Sequence, residues 1–136
     1  CVIGMSTITA RRQFFDRYGL FDEDLPCCED YDLWLRAGSR EPFLLVPQQL
    51  TGKEGGRPDQ LSEIHRMGMD VFRIRSLVKL LDSGGLTPGQ QHAARTELIR
   101  KCLIYGQGCI KHGRFEEGER CLALARLHQS TGKRDL

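Results

Sequence analysis

Carboxylates crowd one short stretch of the chain, LFDEDLPCCEDYDLWLR, from Leu20 to Arg36. Asp22, Glu23, Asp24, Glu29 and Asp30 fall within nine residues, and Asp32 follows. Three chemistries suit such a cluster. Paired carboxylates can hold a divalent cation, one can act as a general base, or acids at a helix start can cap the helix and meet its dipole. Two Asp-x-Asp patterns, Asp22-Glu23-Asp24 and Asp30-Tyr31-Asp32, raise the metal reading. Neither follows an apolar strand. The second opens a helix, where alternate residues diverge by about 200°, so Asp30 and Asp32 are poorly placed to share one ion. Glu29-Asp30 stands apart from the rest. The pair lies at a helix start after a loop containing Pro26, where backbone N–H groups can fix a carboxylate and keep it ionised. It reads as a cap, as a base, or as a base held at a cap position.

Thiols offer a second candidate. The cysteines at 1, 27, 28, 102, 109 and 121 fit no small disulfide scaffold. They read as reduced thiols of a cytoplasmic protein. Cys27 and Cys28 are neighbours and poorly placed to bridge each other. Cys102, Cys109, His112 and Cys121 can be drawn as a zinc set, but no CxxC pair is present. Cys102 and Cys109 share one helix face, so buried apolar packing is the simpler reading.

Elements must position these groups. The first ten residues, CVIGMSTITA, are rich in Val, Ile and Thr and predict a strand. RRQFFDRYG predicts a helix stopped by Gly19, and Leu20 to Cys28 a loop. EDYDLWLRAGS predicts a short helix, with acids at its start, Leu33, Trp34 and Ala37 on one side and Arg36 near its end. PFLLVPQQL, bounded by prolines, predicts a strand, and TGKEGGRPDQ a loop. Leu61, Ile64, Met67, Val71, Ile74, Leu77, Val78 and Leu81 then recur at three and four, which predicts one helix of about five to six turns. Thr87-Pro88 opens the next helix, with Leu98, Cys102, Tyr105 and Cys109 on one stripe, and RFEEGERCLALARL forms the last. The expected organisation is therefore α/β over 1–58 and helical over 59–136.

With 20 basic and 18 acidic side chains the charge is nearly balanced. No basic block makes a case for nucleic acid. No apolar run reaches the ~18 residues a membrane span needs, and the start lacks a signal peptide's basic and apolar regions. Cys1 is not an initiator Met, so the chain reads as a piece of a longer one, in the cytoplasm or at a membrane surface.

GMSTITARRQFFDRYGLFDEDLPCCEDYDLWLRAGSREPFLLVPQQLTGKEGG resembles the carboxyl-terminal half of the catalytic domain of family 2 glycosyltransferases, inverting enzymes of the GT-A fold. The likeness spans about residues 3–60 and rests on order: a strand with Ser/Thr before an Arg, a helix with Phe, GLFDE, then ED opening a helix with DLWLR. It implies a nucleotide-diphospho-sugar donor and a hydroxyl acceptor such as a glycan. Asp30 becomes the general base and Glu29 a residue that orients the acceptor or Asp30. Trp34 packs the helix or stacks on a sugar. Lys53 and Arg57 become contacts to the donor diphosphate, although Glu54 stands where relatives carry a His. A divalent metal, Mg²⁺ or Mn²⁺, is implied for the parent enzyme, with ligands mostly outside this chain and none expected within it. The nucleotide-binding half is not found here, so the chain alone is expected to bind donor poorly and turn over nothing.

A second likeness covers CLIYGQGCIKHGRFEEGERCLALA, which resembles one tetratricopeptide-type helical pair. Gly106 and Gly108, the turn HGRFEEG, and Cys121, Leu124 and Ala125 carry it. A helical hairpin packed on the rest of the chain is the plainer outcome. The competing function is a non-catalytic module that binds a protein partner, or a second copy, through the helical region.

Overall fold

The computed structural model describes residues 3–52 and 57–131. Among them every regular element is helical: a short 3-10 turn at Met5–Thr7, then α1 Arg12–Tyr18, α2 Glu29–Gly38, α3 Leu61–Ile64, α4 Met69–Asp82, α5 Pro88–Lys111 and α6 Phe115–Thr131. The chain divides into two compact units, one ending at Arg73 and the other beginning at Ile74, so the division falls within α4.

The expected α/β arrangement is therefore corrected: no strand occurs among the described residues, and an α/β fragment of a GT-A domain is not what this chain forms. In place of the first strand stand the turn at Met5–Thr7 and extended residues around it. In place of the second, Phe43, Leu44, Leu45 and Val46 run exposed, Leu44 at 95%. β-branched and apolar composition favours a strand only where a pleated partner surface receives it. One unpaired strand leaves its backbone groups to water, and Pro42 and Pro47 remove two donors besides. The long helix expected from Leu61 is also broken, because the chain turns at His65–Gly68 between α3 and α4. Leu61, Ile64 and Met67 are all at least half exposed. The helical spacing is real, but this part of the stripe buries too little to hold a short helix together.

In the first unit, Tyr18, Leu33, Trp34 and Ala37 form the core, with Ile3, Ile8, Phe14, Phe15 and Phe21 packed around them. α1 ends at Gly19, whose φ of 78° lets its N–H close on the Phe15 carbonyl at 2.9 Å. That reversal brings the next carbonyls to α2. Arg36 joins the pieces: its Nε donates to Asp32 Oδ2 at 2.9 Å, Nη2 to the Leu20 carbonyl at 2.8 Å, and Nη1 to the Tyr18 carbonyl. The Asp32 side chain is 2% exposed and that of Arg36 30%. Removing one partner of a buried pair costs about 3–5 kcal/mol. Water reaches this guanidinium, so Arg36→Ala is expected to cost about 2–3 kcal/mol. Trp34 is the only tryptophan, and its fluorescence reports this unit during urea unfolding. A wild-type midpoint in Arg36→Ala would show that the clamp adds nothing.

In the second unit every regular element among the described residues is a helix, as expected for the carboxyl-terminal region. α5 opens with a capping box: Thr87 Oγ1 accepts from the Gln90 N–H, Gln90 Oε1 accepts from the Thr87 N–H, and Pro88 occupies the first turn. Leu98, Cys102, Tyr105 and Cys109 are buried along its inner stripe, with Cys121 and Ala125 buried on α6.

Candidate functional site

The carboxylates of the acidic stretch occupy three distinct places. Asp22 begins a turn: its Oδ1 accepts from the Asp24 N–H at 3.0 Å and its carbonyl from the Leu25 N–H at 3.1 Å. Asp22, Glu23 and Asp24 thus shape a loop. Asp32 is buried against Arg36. Glu29 and Asp30 occupy the first turn of α2, both half-buried. Asp30 Oδ1 accepts from the Tyr31 N–H at 2.7 Å, which fixes one carboxylate oxygen on the backbone. Along the helix, the residue after Asp32, Leu33, is fully buried, and Trp34 and Ala37 beside it anchor the same face.

Trp34 is 5% exposed, with Phe14 at 6.0 Å and Phe43 edge-on at 5.8 Å between ring centroids. A sugar would have to displace this aromatic packing to reach its face. The indole N–H is buried without a hydrogen-bond partner. Arg57 is exposed and makes a two-pronged contact with Asp59, at 3.0 and 2.9 Å. Lys53 and Glu54 lie outside the described residues.

These acids do not fit a divalent cation. Among the described residues no group of three or more His, Cys, Asp and Glu side chains could hold one. Asp32 is committed to Arg36, and Asp22 to its own turn. The same holds for the zinc set drawn from sequence. Cys102, Cys109 and Cys121 are buried between α5 and α6, whereas His112 caps α5 in solvent. Burial raises the Cys102 thiol to about 11 and pushes Cys121 upward as well. All three serve as buried apolar packing groups.

Sequence reading missed three features. One is Cys28, the residue before Glu29, which is left-handed at φ 63° and ψ 21° and is the one such non-glycine among the described residues. Nothing in a Cys-Cys dipeptide announces that turn. Another is the crossing of α5 and α6. A Cβ placed on Gly118 would lie 2.8 Å from the Gly106 carbonyl, and one on Gly106 would lie 3.0 Å from the Gly118 carbonyl, whereas one on Gly108 would meet nothing. The close approach is between Gly106 and Gly118, and Gly108 takes no part in it. The available signal was Gly118 itself, since a glycine inside a helical pattern weakens the helix and marks a place where another backbone comes close. The last is a latch at the turn. Tyr105 donates to Glu117 Oε1 at 2.7 Å, and Arg114 donates to both at 3.3 and 3.2 Å.

His128, half-buried on α6, adds a pH dependence to the second unit. Burial lowers its pKa below the ordinary 6.5, Arg95 on α5 lowers it further, and Asp82 on α4 opposes. The folded state thus prefers the neutral ring. Its contribution is fully present above about pH 6.5 and is lost as pH falls from there through the folded value. His128→Gln is expected to flatten the drop in thermal stability below pH 6.5 measured by circular dichroism, and an unchanged slope would remove His128 as its source.

No helix among the described residues is long and apolar enough to cross a membrane. In comparisons with family models, curated proteins and solved structures, the chain matches none of them.

Proposed function

We propose that the segment around α2 supplies the acceptor-side carboxylates of an inverting glycosyltransferase that uses a nucleotide-diphospho-sugar. The resemblance of FDE…ED-x-x-L-W-x-R to family 2 transferases motivates this reading, and one observation supports it. Of the clustered acids, Glu29 and Asp30 alone combine a buried helical foundation with a half-buried place in a first turn. Asp32 is consumed by Arg36, and Asp22 to Asp24 by a loop.

Asp30 would take the proton of the acceptor hydroxyl while that oxygen attacks the anomeric carbon, opposite the departing nucleoside diphosphate. A carboxylate is a weak base, which suffices when the proton moves late and the reactants are held in line. The Tyr31 N–H holds Asp30 Oδ1, and Asp30 Oδ2 would take the proton. Glu29 would orient the acceptor or Asp30. Substituting Asp30 by Asn in the transferase that contains this chain tests the assignment through release of nucleoside diphosphate on acceptor addition. Retained turnover sinks it.

A second reading has an observation of its own. Ile104, Phe115 and Leu127 of the α5–α6 hairpin are more than half exposed, as an interaction module would require. On that reading Asp30→Asn is silent, and Ile104→Glu abolishes partner binding.

A further inference from the structure

α2 begins in an unusual way. Its N-cap position carries no side-chain cap bond, and the residue there, Cys28, holds a left-handed backbone. That conformation costs a non-glycine residue roughly 1–2 kcal/mol, and glycine would adopt it freely. The Cys28 side chain makes contacts that a glycine would lack. The Cys28 thiol is buried and donates to the carbonyl of Met69, the first residue of α4, at 3.7 Å. Arg73, one turn further along α4 and paired with Asp70 at 2.9 Å, faces the same thiol. Cys27, 2% exposed, packs beside it. The start of α2 is thus tied to a residue 41 positions away. From the Cys28 carbonyl the helix takes its first bond, to the Asp32 N–H at 3.1 Å. The Cys28 dihedrals consequently set the direction of the turn that carries Glu29 and Asp30.

We propose that Cys28 is a positioning residue, whose thiol on the Met69 carbonyl locks the left-handed turn that aims Asp30. The inference rests on reading Asp30 as the base, but its test does not. Burial holds the thiol protonated, pushed up to about 12, which suits an anchor and not a nucleophile.

Two amides report the turn: Tyr31, bonded to Asp30 Oδ1, and Asp32, bonded to the Cys28 carbonyl. Hydrogen exchange at both is to be measured by NMR in the 136-residue chain for Cys28→Gly, Cys28→Ala and Cys28→Ser. Trp34 fluorescence monitors unfolding in parallel. Cys28→Gly is expected to keep the unfolding midpoint near wild type while both amides exchange at least tenfold faster. Cys28→Ser, which restores a donor to the Met69 carbonyl, should return exchange toward wild type, and Cys28→Ala should not. Wild-type exchange in Cys28→Gly overturns the proposal. If the glycine variant fails to fold, equal exchange in the Ala and Ser variants overturns it instead. The base assignment fails by a different result, turnover in Asp30→Asn, so the two are separable.

Discussion

If the proposed transferase reading holds, Asp30→Asn is expected to lower turnover by about 10²–10⁴-fold, the usual contribution of a positioned general base. The substitution is nearly isosteric. An Asn Oδ1 can still accept from the Tyr31 N–H, so the first turn of α2 keeps its 2.7 Å contact. Donor affinity and the Trp34 unfolding midpoint should therefore move little, and the loss should fall on kcat. Asp32→Asn provides the contrast. It weakens the partner of Arg36 in the core and should lower stability, with whatever protein remains folded turning over normally. Glu29→Gln should act chiefly on the KM of the acceptor. A crossed pattern, with Asp30→Asn active and folded Asp32→Asn dead, would move the chemistry off Asp30 altogether.

The contrast between neighbouring acids shows where sequence was informative and where it was not. The burial of Leu33, Trp34 and Ala37 follows from helical spacing, and α2 appears where those residues and the acids before them predict it. The α5 start follows from local chemistry alone, since Thr87, Pro88 and Gln90 complete a capping box without outside help. Both cases share a cause: the pattern that announces the element, apolar spacing in α2 and cap chemistry in α5, is written within a few neighbouring residues. The strands expected at 1–10 and 42–50 fail on the opposite ground, because a strand is decided by partners elsewhere in the chain, and a Val, Ile or Leu run carries no record of them. The break at His65–Gly68 belongs with these failures. A stripe of apolar residues predicts a helix only if something covers it, and Leu61, Ile64 and Met67 stay in solvent. At the site, Asp32 was legible in principle from Arg36 four residues on. The left-handed Cys28 was not, because its anchor is a backbone carbonyl 41 residues away.

Gly118→Ala is expected to destabilise the second unit by about 2–3 kcal/mol, although alanine is the better helix former by about 1 kcal/mol. The added carbon would sit 2.7 Å from Ile110 Cγ1, 2.8 Å from the Gly106 carbonyl and 3.2 Å from the Ile110 N. Two of those three atoms are backbone, so relief requires α5 and α6 to separate along their length and not a rotamer change. Overpacking of this kind costs typically 1–3 kcal/mol. Gly106→Ala meets the Leu122 side chain at 2.9 and 3.0 Å and the Gly118 carbonyl at 3.0 Å. Leu122 can yield, so about 1–2 kcal/mol is expected there. Gly108→Ala meets nothing and should gain roughly 0.5–1 kcal/mol from helix propensity alone. The order Gly118→Ala below Gly106→Ala below wild type below Gly108→Ala, read from thermal melts at 222 nm, is specific to this crossing. The double variant should cost less than the sum, because helices already parted by one methyl have room for the other. Equal stability of Gly118→Ala and Gly108→Ala would mean that α5 and α6 do not meet at Gly106 and Gly118. Cys102, Cys109 and Cys121 would then lose the close-packed surroundings that keep them buried, and their alkylation at neutral pH would reveal it.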